Sequence, residues 1–375
     1  MLIRNGTVMR GDFTLARTDL LLEGETISAV GEQKGEGFDA SGLLVLPGLV
    51  DIHTHGVGMR ESYDGGGAVE KVARELARGG TTAFLPTCRG MDIEKLVSVT
   101  GEIAEFIAAG APEDCAAPEG INLEGPFLSE AKRGAHPTEY LSKPDLALYA
   151  RLREAAKGSV RLVTVAPEYE GADELIKEIT KTAVASLGHS AADYETAKRA
   201  FACGASHVTH LFNAMLPMGH REPGLAGAAL DRAGVTCELI CDGEHVHPAA
   251  VRLAFKAIGA ERIALISDSV AGAALPQGEY TFRGIAHKRD GGKAVRLADG
   301  SLAGGGGLLL DNVRSAVGFG VPLADAVKAA SLTPARVIGA DARIGSVEAG
   351  KRADLILVSE DLELKAVVLR GRLLS

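Results

Sequence analysis

The stretch VLPGLVDIHTHG, residues 45–56, is an apolar run that stops on two histidines two positions apart, followed by glycine. Side chains alternate faces along a strand, so His53 and His55 point the same way at its exit. Paired imidazoles at the end of a buried strand are what the rim of an α/β barrel presents to a substrate. Ten histidines in 375 residues also give a chance His-x-His in roughly a quarter of such chains. A second pair, His245-Val-His247, is present, so the rest of the chain has to decide.

Working outward, eight strand-like segments follow one another: LLVLPGLVDIHTH, TTAFLPT, GINLEGPFL, VRLVTVAPE, AVASLGHS, HVTHLFNAM, TCELICDGEHVH and RIALISDSVAG. Most are apolar on both faces, as strands covered on both sides must be. Helical patterns lie between several of them. Val69, Val72, Ala73 and Leu76 form one stripe ahead of Gly79-Gly80, and Tyr194, Ala197, Ala200 and Phe201 form another ahead of Gly204. This alternation predicts an α/β fold, a (β/α)8 TIM-type barrel with its chemistry at the carboxyl ends of the strands. Residues 1–47 and 345–375 read instead as short strands broken by polar turns. They predict a small β-sandwich domain built from both termini, beside a barrel spanning 48–344. The glycine patch at 303–310 marks close backbone approach or a mobile loop.

The composition, 46% hydrophobic and 24% charged, supports a large core, and an α/β barrel accommodates this length as one domain. A net charge of −9 argues against nucleic acid or an anionic membrane as partner, though a local basic cluster still suits a small anion. No apolar stretch approaches the ~20 residues of a membrane span. The start, MLIRNGTVMRGDF, lacks the apolar region of a signal peptide. Five cysteines, an odd and scattered set without C-x-x-C, fit reduced thiols. A cytoplasmic location is expected.

Chemistry-bearing groups gather at strand exits. The first strand ends at His53 and His55, the third at Glu124, the fifth at His189, the sixth carries His210, and the eighth ends at Asp268. Any one of these histidines alone reads as a solvated or hydrogen-bonded residue. Together they fall where a barrel's rim collects its functional groups. Imidazole and carboxylate donors suit a divalent metal such as Zn, Fe, Mn or Co. An ion of this kind activates water, and a carboxylate at its edge, for which Asp268 is the candidate, moves the proton.

The segments PGLVDIHTHG, LEGPFLSEAKRGAHP, GHSAADYETA, THLFNAM, HREPGLAGAAL, DGEHVHP and TPARVIGADARIGSVEAGKRADLILV resemble, in order and spacing over essentially the whole chain, the N-acetylglucosamine-6-phosphate deacetylases of the amidohydrolase superfamily. The pairing of LEGPF…GAHP with HLFNAM…REPGLAG is the specific part. The resemblance implies hydrolysis of an N-acetylated amino-sugar 6-phosphate to acetate and the free amine. It implies that Glu124, His189 and His210 hold the principal ion and that His53 and His55 hold a second, with Glu124 as bridge, giving one or two ions per subunit. VRLVTVAPE offers no lysine for a carboxylated bridge.

The same resemblance places His136 of GAHP and its neighbour Ala135 at the substrate's reacting end, and His245 on the sugar. Asn213 and Ala214 of FNAM, with Arg221 of HREPG, are expected to bind the phosphate, for which a guanidinium fork and backbone N–H groups are suited. In relatives that arginine comes from the neighbouring subunit, which implies a homodimer. His247, before Pro248, reads as structural, and Ser190 and Thr209 as strand-end hydrogen bonders with no histidine–aspartate relay to activate them. Lys132 and Arg133 read equally as a solvated turn or as charge near the site. Cys88-Arg89 after the second strand, Ser269 after Asp268 and Gly305 in the glycine patch depart from the family pattern and bear on acyl group and sugar epimer. Rival readings are the same chemistry on N-acetylgalactosamine 6-phosphate or another N-acyl sugar phosphate, and a non-catalytic sugar-phosphate binder. The latter has no use for a water-activating carboxylate.

Overall fold

The computed structural model describes residues 1–289 and 291–374. Eight parallel strands make the barrel: β1 (Leu49–Thr54), β2 (Thr81–Arg89), β3 (Ile121–Glu124), β4 (Val160–Val165), β5 (Val184–Leu187), β6 (His207–Val208), β7 (Thr236–Ile240) and β8 (Ile263–Ile266). They pair in sequence order. The seam between β8 and β1 closes at the carboxyl ends, where Asp268 N donates to His53 O at 3.0 Å and His55 N donates to Ser269 O at 2.8 Å. Functional positions therefore carry the closure themselves.

One helix follows each strand: α1 (Ala68–Arg78), α2 (Ile93–Ala109), α3 (Leu146–Ala155), α4 (Ala172–Ile179), α5 (Tyr194–Ala202), α6 (Gly224–Asp231), α7 (Pro248–Ile258) and α8 (Leu309–Gly318). The stripes foreseen on α1 and α5 are the buried faces, with Tyr194 half-buried at the edge. Starts of several helices are set by side-chain caps, Asp92 on α2, Asp145 on α3 and Asp193 on α5. His247 does the same for α7, its ring accepting from Ala249 N, which is the structural role expected of it.

The segment read as one first strand is two strands in two sheets. Leu44–Pro47 pairs with Leu2–Met9 and with Leu355–Val358, whereas Leu49–Thr54 enters the barrel. The break falls at Gly48, whose N–H donates to Asp354 O at 2.9 Å. A Cβ there would sit 2.2 Å from Thr82 Oγ1, so glycine is required where the chain crosses from one sheet to the other.

That outer sheet joins four N-terminal and three C-terminal strands in one path, with a short eighth at Phe38–Asp39. An isolated bridge also joins Thr26, on the edge strand Thr26–Val30, to Arg352, just ahead of Leu355–Val358. Ile3, Val8, Leu20, Leu22 and Ile27 thereby share a core with Leu355, Leu357 and Val368. A further antiparallel sheet, Gly278–Phe282, Ile285–Arg289, Ala294–Leu297 and Leu302–Gly305, is inserted between β8 and α8. The glycine patch, read as close backbone approach or a mobile loop, is its last strand and the turn into α8, and the close approach is there: a Cβ at Gly304 would lie 2.8 Å from Asp268 O. Among the described residues no helix is long and apolar enough to cross a membrane.

Candidate metal centre

Every strand exit singled out in the sequence points into one cavity of about 220 Å³ at the carboxyl end of the barrel. Glu124, ending β3, is its hub. Its Oε1 lies 3.1 Å from His189 Nε2 and 3.0 Å from His210 Nε2, and those two nitrogens are 3.0 Å apart. Its Oε2 lies 3.3 Å from His55 Nε2 and 3.1 Å from His136 Nε2. His53 Nε2 is 3.4 Å from Glu124 Oε1 and 3.6 Å from Asp268 Oδ1, and His55 Nε2 is 3.3 Å from the same aspartate oxygen. All six are buried.

The outer nitrogens explain the aim of the inner ones. Nδ1 of His53 faces Glu238 Oε2 at 2.9 Å, Nδ1 of His55 faces Thr87 O at 3.1 Å, and Nδ1 of His189 faces Lys132 O at 2.8 Å. Each acceptor fixes the proton on Nδ1, leaving a lone pair on Nε2 directed at the centre. His53 Nε2 is buried with no hydrogen-bond partner. An orphaned lone pair of this kind, beside two carboxylates and three more imidazole nitrogens, is what a divalent cation satisfies. Glu124 with His53 and His55, and Glu124 with His136 and His189, are each compact enough to hold an ion. The donor set therefore fits the metal.

Backbone geometry supports a built site. His189, His210 and Asp268 have φ of 46°, 28° and 47°, a region that non-glycine residues avoid at about 1–3 kcal/mol each. Each lies two residues beyond its strand, so the chain turns sharply there and swings the side chain over the barrel mouth.

Charges respond accordingly. Burial works against the Glu124 carboxylate, but the surrounding imidazoles, His53 first, hold it well below the usual carboxylate range. Burial also opposes the Asp268 anion, and the His55 hydrogen bond with the His53 charge outweighs it, keeping that carboxyl low. Burial would lower His55, yet Asp268 and Glu124 raise it to about 9, so a cation binding at its Nε2 has to displace a proton there. His136 goes the other way: burial lowers it to about 4, so its ring is neutral.

Around the centre, Ala135, His136, Asn213, Ala214 and His245 line the cavity. His245 Nδ1 is held by Asp242 Oδ2 at 2.5 Å. Arg133 Nη1 donates to His136 O at 2.8 Å, and Lys132 contributes its carbonyl, so this turn frames the site instead of pointing charge at it. Arg221 is not brought in: it is exposed, outside the cavity, and makes no hydrogen bond or ion pair among the described residues. Ser190 donates to Glu168, and Thr209 bonds Thr164 and Ser186, as expected of structural hydroxyls.

Residues 44–374 match the amidohydrolase family. The chain belongs to that family. It is 37% identical over 334 residues to the N-acetylglucosamine-6-phosphate deacetylase of Bacillus subtilis (strain 168), covering 88% of this chain and 84% of that one. It is 36% identical to the N-acetylgalactosamine-6-phosphate deacetylase of Escherichia coli O157:H7, covering 88% of each. The crystal structure of N-acetyl-D-glucosamine-6-phosphate deacetylase from Mycobacterium smegmatis matches over the full length of both chains, with a TM-score of 0.92 at 32% identity. That enzyme is also known as an aspartate-to-alanine mutant in complex with N-acetyl-D-glucosamine-6-phosphate. The resemblance read from the motifs thus holds, and this amidohydrolase is a hydrolase on a TIM barrel with a divalent-metal site.

Some participants escaped sequence reading. Glu238 on β7 and His207 on β6 sit behind the centre, and Leu302, Ala303 and Gly304 of the inserted sheet close the cavity's mouth. Glu238 leaves one trace, a charge inside the apolar run TCELIC. The departures at Ser269 and Gly305 find physical reasons. Ser269 Oγ bonds Gly56 O and Thr54 Oγ1 across the β8–β1 seam. A Cβ at Gly305 would lie 2.1 Å from Ser267 O, so no larger residue has room there.

Proposed function

We propose that this amidohydrolase hydrolyses N-acetyl-D-glucosamine 6-phosphate to D-glucosamine 6-phosphate and acetate. The observation that carries the reading is the meeting of Glu124 Oε1 with His189 Nε2 and His210 Nε2 within about 3 Å, beside Asp268, in one cavity. Glu124, His189 and His210 would hold the principal divalent ion, of Zn, Fe, Mn or Co, and His53 and His55, with Glu124, would hold a second. Bound there, such an ion would supply an acidified water and a polarised acyl carbonyl.

The chain's own groups do the rest. Asp268, an ionised carboxylate at the centre's edge, accepts the proton of the attacking water and returns it to the nitrogen as the C–N bond breaks. Oxygen from water ends in acetate, and the amine leaves protonated by the same group. His136, held neutral by burial, donates a hydrogen bond to the carbonyl oxygen as negative charge develops there. His245, fixed by Asp242, binds a sugar hydroxyl. Asn213 and the Ala214 N–H face the phosphate, and Arg221, exposed and without a partner among the described residues, reaches the same group in a neighbouring subunit of a homodimer. The enzyme works in the cytoplasm.

Purified protein supplied with metal is to be assayed for acetate release from N-acetylglucosamine 6-phosphate, its galacto epimer and the phosphate-free sugar. The account predicts the first as best substrate, and loss of at least about tenfold in kcat/KM on dropping a charge-assisted contact of this kind. Equal rates with and without phosphate would refute the anion site, and no acetate release would refute the enzyme.

A further inference from the structure

We infer that Glu238 is the positioning residue that makes the second metal position usable, by clasping the His53 side of the centre to the His210 side. This rests on the two-ion reading above. Glu238 lies on β7, fully buried, and touches neither the cavity nor the ion positions. Its Oε2 receives two donors at once, His53 Nδ1 at 2.9 Å and the His210 backbone N–H at 3.1 Å. Its Oε1 faces His207 Nε2 at 3.4 Å, and its main-chain carbonyl accepts from Leu211 N at 2.9 Å.

One residue thereby governs two things. It sets the tautomer of His53, so that the orphaned Nε2 presents a lone pair and not a proton. It also pins both sides of the left-handed turn at His210, whose φ is 28°. His55 and His189 hold their tautomers through single backbone carbonyls. Only His53, among the histidines around Glu124, has its outer nitrogen on a carboxylate, which raises the basicity of the inner nitrogen more than a carbonyl does. His207, from the other side, keeps the carboxylate from rotating away. His53 therefore depends on a partner that no backbone atom can replace.

The test is metal content and affinity, read apart from activity. Wild type, Glu238→Leu, Glu238→Gln and His53→Asn are stripped by chelation, titrated with Zn²⁺ or Mn²⁺, and analysed for ions per chain. Folding of each is checked by far-UV circular dichroism. Wild type is expected to take two ions. Glu238→Leu should bind the weaker ion about 10–100-fold less tightly, the range for loss of a metal ligand's outer partner, and approach His53→Asn. Glu238→Gln, which keeps an acceptor without the charge, should fall between, and it carries the test if the leucine variant does not fold. In the His53→Asn background, removing Glu238 should cost the remaining ion far less than removing it does in wild type. Both Glu238 variants binding two ions with wild-type affinity would overturn the inference. A wild type that binds only one ion would instead overturn the two-ion reading beneath it.

Discussion

The two ends of the barrel each gather a cluster of charged side chains, and they are built on opposite rules. At the carboxyl end, Glu124 and Asp268 face imidazole nitrogens that crowd one another, His189 and His210 Nε2 at 3.0 Å, with His53 Nε2 left unpartnered. At the amino end, just ahead of β3, Glu119 is clamped between guanidinium groups, Oε1 to Arg352 at 2.8 Å and Oε2 to Arg343 at 2.6 Å. Arg352 in turn pairs with Asp354, whose carbonyl receives Gly48 N at the start of β1. One end pairs its carboxylates with guanidinium groups, with Arg352 Nη2 left over, and ties the barrel to the outer sheet. The other is matched only when something enters. Lone pairs left open at strand exits mark function, and charges paired at strand entries mark stability.

Stripping the ion with a chelator should separate the ends most strongly. Acetate release should vanish, and the melting temperature should fall, since an ion present at 100–1,000 times its Kd stabilises by about 3–4 kcal/mol. Activity should return on adding metal. Unchanged melting on chelation would break the comparison, because the upper cluster would then be matched without an ion. Next in size, Asp268→Asn should lower kcat by about 10³-fold, within the range for a lost general base, and leave melting close to wild type. A variant with full rate would exclude Asp268 as proton carrier.

Glu119→Gln should do the converse. Breaking a buried pair by removing one partner is worth about 3 kcal/mol of stability, and kcat/KM should stay put. Its pH dependence is fixed in sign. Burial pushes the Glu119 carboxyl up, but Arg352 and Arg343 outweigh it and hold it below its ordinary value of 4.5. A carboxyl lowered in the folded state stabilises above that value and loses its contribution as pH falls through the folded one. Urea unfolding of wild type and variant should therefore differ at pH 7.5 and converge below about pH 4.5. A gap that widens in acid would contradict the pairing. Smallest, Gly48→Ala should cost about 1–3 kcal/mol through overpacking on Thr82, again with kcat/KM intact.

How much of this was legible follows from the same contrast. His53, His55, Glu124, His189, His210 and Asp268 could be read because chemistry placed at strand exits repeats along the chain, and a barrel needs no further information to bring them together. Their partners are different. Glu238 reaches His53 from β7 although β7 pairs with β6 and β8, a contact across the barrel that sequence order does not encode. The division of LLVLPGLVDIHTH between two sheets hangs on the space beside Gly48, which periodicity does not register. The inserted sheet has visible signs in its alternating residues and its turns at Gly284 and Gly300, but the glycine run signals close backbone approach or a mobile loop and not a strand. Arg221 is the reverse case, read from resemblance and seated in no site within its own chain.

The most direct test of the central claim is an anomalous-scattering map from crystals of active protein grown with its metal. The account predicts the strongest peak between Glu124, His189 and His210, at the roughly 2.0–2.2 Å typical of nitrogen and carboxylate ligands. Fully active protein with no ion bound to those three side chains would contradict it.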